Sequence, residues 1–176
     1  MNKLTLFFRY ILLLLIGLPG AYLFYLIFTP LTIYPVLVAF RLIYPQVLLE
    51  GIIFTINNHA ISIVPACIAG AAYYFLLIIN LATPMDIKTR VKSIIFMFLL
   101  FLLLNIIRII VFSALFIGGF ELFDIAHKLT WYFGSTILVV AIWFLAVYIF
   151  KIKSIPVYTD FKTLFSLTRK QRKRKK

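Results

Sequence analysis

The chain has 176 residues, of which 64% are hydrophobic and only 13% are charged, and its mean hydropathy is +1.09. An ordinary soluble domain is about half apolar and about a quarter charged, so this composition excludes a soluble fold. The net charge of +13 is carried in part by the C-terminus, where seven of the last eight residues are Lys or Arg. A basic cluster that follows apolar segments predicts a cytoplasmic anchor on anionic lipid, and no nucleic-acid partner is expected.

Apolar runs of membrane-spanning length follow one another along the chain. A helix needs about 20 apolar residues to cross the hydrocarbon core. We therefore predict an all-α integral membrane protein of the plasma membrane with about four spans. The spans fall at 6–28, 66–83, 93–117 and 128–150, within a single membrane domain, 1–155, and a basic cytoplasmic tail occupies 156–176.

The segment 31–49 is also apolar, but Arg41 lies midway along it and three prolines interrupt or flank it. An Arg at the bilayer centre costs at least about 2.5 kcal/mol, and an interior proline breaks a helix. The basic residues of 84–92 place that loop inside, with the C-terminal tail. A fifth span would then put the basic N-terminus outside, so we predict an interfacial or re-entrant outer helix at 31–49 and two cytoplasmic termini.

A short extracytoplasmic β-hairpin is predicted over 52–64. Asn57-Asn58 stands between two runs of β-branched residues and suits a two-residue hairpin turn. Such a turn puts three apolar residues of the first strand on the same face as His59, Ile61 and Ile63.

Polar residues at membrane depth are the informative ones in so apolar a chain. Cys67 opens the span 66–83, and Arg108 lies fifteen residues beyond Ser93 in the next span. Counted from the shared inner loop at 1.5 Å per residue, both lie about 22–24 Å above the inner boundary. A nearby cation favours the nucleophilic thiolate form of a cysteine. Asn105 lies one turn before Arg108 on the same face, so the two form one polar patch that we expect to face a neighbouring helix.

Each of these residues also has a simpler interpretation. Arg108 alone could snorkel to an interface or pair with Asp124 or Glu121. A lone cysteine in a membrane helix is often a small packing residue.

His127 is the candidate base, in the first turn of the last span, and Asp124 is read as the N-cap of that helix. By the same count His127 lies about 36 Å above Lys151, roughly three turns higher than Cys67 and Arg108. His59 is the rival base at the hairpin tip. His127 is preferred because a position in the first turn of a helix is better held than a hairpin tip.

A Cys, then an Arg on the next helix, then a His before the last helix is an order that resembles the archaeosortase/exosortase family. The similarity covers about 30–148 and rests on Ala66-Cys67-Ile68-Ala69-Gly70, on Asn105-Ile-Ile-Arg108 and on His127. The usual family box is Ala-Cys-Ser-Gly, which this chain matches without the serine and with one added residue. The chain looks like a short archaeal-type member.

The resemblance implies a membrane-embedded cysteine transpeptidase whose site opens on the extracytoplasmic side. Its substrates would be secreted proteins that end in a recognition motif, a transmembrane helix and a basic cluster, and its acceptor would be an amine on a lipid. Cys67 would attack the carbonyl at the motif, Arg108 would stabilise the thiolate or the oxyanion, and His127 would act as base and then acid.

No cofactor or metal is predicted, because the two histidines and the cysteine lack ligand spacing.

Two other functions compete with the transpeptidase. One is a non-enzymatic membrane assembly or scaffold subunit, in which Arg108 pairs helices. The other is a different membrane acyl-transfer enzyme that uses the same thiol.

Overall fold

The fold is described from a computed structural model, which covers Ile11, Leu15 and residues 21–152. Most of the predicted span 6–28 and all of the predicted tail 156–176 lie outside these residues. In chain order the elements are α1 (Tyr22–Ile43), β1 (Val47–Glu50), β2 (Ile53–Ile56), β3 (His59–Ser62), α2 (Pro65–Ile68), α3 (Gly70–Ala82), α4 (Ile87–Ile117), α5 (Phe123–Leu129), a π-helical turn (Thr130–Gly134) and α6 (Ser135–Ile149).

Four helical stretches in the described residues are long and apolar enough to cross a membrane. Four is the predicted number, but only three of these stretches overlap the predicted spans 66–83, 93–117 and 128–150. The fourth runs from the end of the predicted span 6–28 into the segment 31–49, for which no crossing was predicted. Large apolar side chains stay exposed on their outer faces, as with Leu103 at 56% and Phe144 at 65%. The four stretches are Tyr22–Ile43, Pro65–Ala82, Ile87–Ile117 and Phe123–Ile149.

The predicted break between a span ending at 28 and an interfacial helix at 31–49 is wrong, because α1 runs unbroken through this region. Its buried side chains recur every fourth residue, at Phe24, Phe28, Thr32, Val36 and Phe40, so one stripe packs inward past both internal prolines. The prolines lie on the exposed side, so their rings do not enter the packed stripe. The predicted mid-segment arginine belongs instead to the last turn of α1, where a cation is favourable.

The predicted hairpin at 52–64 is part of a three-stranded antiparallel sheet with strand order β1-β2-β3. The turn at Asn57-Asn58 is confirmed: both residues have positive φ, and Ile56 pairs with His59 across the turn. Strand β1 was missed. Its turn into β2 starts at Gly51, whose φ of +63° is the conformation that a primed hairpin turn requires.

Helix α4 begins at Ile87, six residues before the predicted start of its span, so the three basic residues predicted in a loop at 84–92 all lie in its first turns. Asp86 caps this helix: its carboxylate accepts a hydrogen bond of 2.8 Å from the Thr89 N–H, which lowers the pKa of that carboxyl. Arg90 donates to the carbonyls of Asn80 and Thr83, at 2.7 and 3.0 Å. This arginine therefore caps the end of α3 and holds the tight turn into α4.

An aromatic cluster joins α1, α3 and α4. The buried ring of Tyr73 stacks on Phe28, with centroids 3.5 Å apart, and meets Phe101 edge-on at 4.8 Å. Gly70 lets the ring of Tyr25 approach the α3 backbone, since a Cβ there would lie 2.8 Å from that ring. Small residues allow such close packing between membrane helices. The start of α3, next to Cys67, is therefore held firmly against α1.

Candidate active site

Cys67 lies on the one-turn helix α2, between the sheet and α3. Pro65 begins this helix, and the Cys67 N–H donates to the Val64 carbonyl at 2.8 Å. Ala69 then adopts a left-handed conformation, with φ of +57°, and separates α2 from α3. That conformation costs a non-glycine residue about 1–2 kcal/mol. The predicted span is thus interrupted just after the cysteine, and the backbone strain stored there is typical of functional sites.

Asn105 and Arg108 both reach from α4 to the backbone of Cys67. The Asn105 side-chain amide donates to the Cys67 carbonyl at 2.9 Å, and the Arg108 Nη2 lies 3.5 Å from the same oxygen. The polar patch predicted on this face of α4 therefore faces the cysteine. The other arm of the guanidinium, Nη1, donates to the Ser135 hydroxyl on α6 at 2.8 Å.

The positive charge of Arg108 has no carboxylate partner within residues 21–152. Both of its hydrogen bonds go to neutral oxygen atoms, one of a carbonyl and one of a hydroxyl. The pairing with Asp124 or Glu121 that was considered from the sequence is not observed. A half-buried guanidinium without a counter-ion strongly attracts negative charge, such as a thiolate or an oxyanion.

Cys67, Arg108 and His127 line one cavity with a volume of about 310 Å³. The cavity is bounded by β3, by the start of α2, by the outer half of α4 and by the segment from Phe123 to Trp131. Most of its lining is apolar, and the three predicted residues supply its titratable groups among the described residues. The structure therefore brings together the thiol, the guanidinium and the imidazole.

His127 lies closer to the other two residues in height than the residue count suggests. Its ring packs against Phe112, with centroids 5.5 Å apart, and stacks on Phe123 at 5.4 Å. Phe112 is four residues beyond Arg108, which corresponds to about 6 Å along a helix. The separation of about three turns expected from the sequence is thus reduced to about one.

His59 does not line this cavity. Its Nδ1 lies 3.0 Å from the Asn57 carbonyl oxygen, and its ring meets Phe116 edge-on with centroids 5.8 Å apart. Phe116 also contacts Phe123, so aromatic rings lie between the two imidazoles. Of the two candidate bases, the geometry brings His127 to the cysteine.

Asp124 is not the N-cap of the last helix, and that prediction is wrong. The N-cap is Leu122, which makes no side-chain capping bond, and Asp124 is the second residue of α5. Its side chain is exposed and lies outside the cavity lining. A carboxylate in the first turn still interacts favourably with the helix dipole, so Asp124 supports the helix and not the site.

Two parts of the site were missed from the sequence. Ser135 was not singled out, although a hydroxyl behind the aromatic run at the outer end of the last span is a detectable signal. The π-helical turn Thr130–Gly134 just before it has no reliable sequence signature. Such turns hold one extra residue and are frequent at functional sites. This one brings both His127 and Ser135 to the side of the helix that faces α4.

The described residues contain no group of three His, Cys, Asp or Glu side chains arranged to hold a metal ion. The cavity lining supplies a thiol, a guanidinium, an imidazole and neutral hydroxyl groups. The chain matches no family model, no curated protein and no solved structure.

Proposed function

We propose that the protein is a membrane-embedded cysteine transpeptidase of the archaeosortase/exosortase kind. Its reaction would cleave C-terminal sorting signals of secreted proteins and transfer the new carboxyl end to an amine, on a lipid acceptor. One observation carries the proposal: Cys67, Arg108 and His127 line a single cavity, and the arginine charge there has no carboxylate partner in the described chain.

The chemistry needs only these side chains. The Cys67 thiolate attacks the carbonyl carbon of the scissile amide, and the negative oxygen of the tetrahedral intermediate is stabilised by the Arg108 guanidinium. The C–N bond breaks as His127 gives a proton to the leaving amine, and a thioester remains on Cys67. The acceptor amine then attacks the thioester, His127 takes its proton, and the thiolate is released.

The orientation of the proposed enzyme follows from its basic residues. Lys88, Arg90 and Lys92 at the start of α4, with the basic C-terminal segment, belong on the cytoplasmic side. In this orientation helix α1 would cross outward, the sheet and the cavity would lie on the extracytoplasmic side, and the last helix would return. A secreted substrate would meet the site on that side, while the basic C-terminal segment binds anionic lipid.

The test is conversion of a co-expressed secreted protein that carries a motif, a transmembrane helix and a basic cluster at its C-terminus. The host lacks any other enzyme of this kind. The native chain should shorten the substrate, and Cys67→Ala should not, although it inserts at the same level. A thioester trapped on Cys67 would identify the nucleophile directly, whereas full conversion by Cys67→Ala would refute it.

A scaffold subunit is the second candidate, and one observation favours it. Arg108 and Asn105 together connect α2, α4 and α6 through hydrogen bonds, which is what a purely structural arginine would do. The two candidates differ at the thiol. A scaffold keeps its assembly when Cys67 is replaced by alanine and does not shorten the substrate in this host in either form, whereas the transpeptidase shortens it only with the thiol present.

A further inference from the structure

The open edge of the sheet and the candidate nucleophile share one cavity. Strand β3 is the last in the order β1-β2-β3, so one of its sides has no neighbouring strand in the described structure. Residues 60–63, from Ala60 to Ile63, all line the cavity that holds Cys67. An unpaired strand edge is a template for a further strand.

The pairing of β3 with β2 decides which backbone groups face the cavity. His59 and Ile56 close the two-residue turn, and the Ile63 N–H donates to the Ile52 carbonyl at 2.9 Å. Hydrogen-bonded pairs alternate along an antiparallel ladder, so residues 59, 61 and 63 direct their N–H and C=O groups to β2. Ala60 and Ser62 therefore direct theirs to the open edge, and both residues are exposed.

These outward groups lie beside an apolar lining that includes Ile109 and Phe112. Exposed backbone N–H and C=O groups at a strand edge can pair with a further strand, and the neighbouring apolar surface can contact the side chains of that strand. The edge thus offers two donors and two acceptors, in a place where another backbone is the matching partner.

We infer that the ligand of this cavity is an extended peptide that adds to β3 as a fourth strand, through backbone hydrogen bonds to Ala60 and Ser62. The role of this peptide as acyl donor rests on the proposed function. The pairing ends at Val64, whose carbonyl already accepts the Cys67 N–H. The peptide residue beyond that point lies at Cys67, so strand addition would deliver a carbonyl to the thiol.

The cavity lining also determines which side chains of the peptide fit. Successive residues of a strand point to opposite sides, so alternate side chains would contact the apolar lining formed by Ile109, Phe112 and Phe116. Small or apolar side chains fit these positions. A lysine or arginine there would bring a second positive charge towards Arg108.

Amide hydrogen exchange on the full chain with Cys67→Ala, in lipid nanodiscs, tests the inference without any chemistry at the site. The probe is a mixture of capped pentapeptides built from Ala, Val, Ile and Thr. We expect exchange at Ala60 and Ser62 to slow at least about tenfold, with little change at Ile61, which is already paired. The same mixture with N-methylated backbones should give no protection.

Unchanged exchange at Ala60 and Ser62 under saturating peptide would overturn the inference. Protection that appears without peptide and grows with protein concentration would also overturn it, because the edge would then pair with a second copy of the chain.

Ser62→Pro supplies a second arm. Proline at an edge position removes only the outward N–H, so this variant should lose peptide binding, while the matched Ser62→Ala variant keeps it. Continued slow exchange at Ile61 and Ile63 shows that the sheet is folded. Normal substrate processing by folded Ser62→Pro would overturn strand addition but would not contradict the proposed transpeptidase function. Protection by the peptide together with full processing by Cys67→Ala would support strand addition and refute the transpeptidase function.

Discussion

Asn105 donates a hydrogen bond of 2.9 Å to the backbone carbonyl of Cys67, from a position 38 residues further along the chain. Arg108, one turn later, directs Nη2 to the same oxygen at 3.5 Å. Two donors from one helix face thus hold the backbone of the cysteine, next to the left-handed Ala69. The position of the thiol is set by α4 as much as by its own short helix.

Asn105→Leu should destabilise the protein, because the Cys67 carbonyl loses its shortest side-chain hydrogen bond. Bonds of this kind between membrane helices contribute about 0.5–2 kcal/mol. The Asn105 Oδ1 is buried without a donor in the described chain, and its removal offsets part of the loss. Denaturant unfolding in detergent measures the effect, with the exposed Leu103→Ala as control. Equal stability of the two variants would contradict the role given to Asn105.

Substitutions at the three cavity residues should differ in severity in the processing assay. Cys67→Ser should abolish processing, since a hydroxyl ionises far less readily than a thiol. Arg108→Lys should lower the rate about 10³-fold, because an ammonium keeps the charge and loses the planar fork. His127→Ala should be milder, at about 10²-fold. The rate of substrate conversion by each variant gives the order of severity, and an active Cys67→Ser protein would contradict the predicted order.

Ser135 is expected to act as a positioning residue for Arg108. Ser135→Ala removes the acceptor of the Nη1 bond and should lower the maximal processing rate about tenfold, with little change in apparent substrate affinity. Ser135→Thr keeps the hydroxyl and should restore most of the rate. If the alanine and threonine variants behave alike, the hydroxyl does not position the guanidinium.

Deletion of Phe133 should convert the π-helical turn into ordinary α-helix. A π-helical turn holds one extra residue while the flanking helix keeps its phase, so His127 and Ser135 should both still face α4 after the deletion. Insertion of one alanine after Phe133 should instead rotate His127 by about 100°, away from the cavity. Disulfide formation between Ser62→Cys and His127→Cys, in a Cys67→Ala background, reports whether these two positions still face each other. It should persist in the deletion variant and fall sharply in the insertion variant, and equal crosslinking in both would exclude this role for the extra residue.

The proposed orientation, in which α1 crosses the membrane outward, predicts a labelling pattern for single cysteines in a Cys67→Ala background. An impermeant reagent added outside should label Glu50→Cys, at the end of β1, and should not label Ala21→Cys or Asp86→Cys until the membrane is opened. Outside labelling at Ala21→Cys would mean that α1 returns to the surface from which it started. Labelling at Asp86→Cys would invert the whole orientation.

Composition and spacing were enough to predict the positions of three of the four membrane-length helices, the Asn57-Asn58 turn, and the matching height of Cys67 and Arg108. These features depend on the local conformational preferences of the residues and on the fixed rise per residue of a helix, both of which follow from the sequence alone. The resemblance to a transpeptidase family also rests on three short motifs in a fixed order, and its chemical consequences stay a prediction.

Tertiary packing decided the rest. Two prolines and Arg41 argued against a continuous α1, yet a buried stripe at every fourth residue holds the helix together, because its packing outweighs two lost backbone bonds. Strand β1, the π-helical turn and the bond from Arg108 to Ser135 likewise depend on which segments each of them contacts in the folded chain. The height expected for His127 differed from its position in the structure for the same reason. Residue counts measure length along one helix, whereas the ring contacts of His127 with Phe112 and Phe123 show where two helices meet.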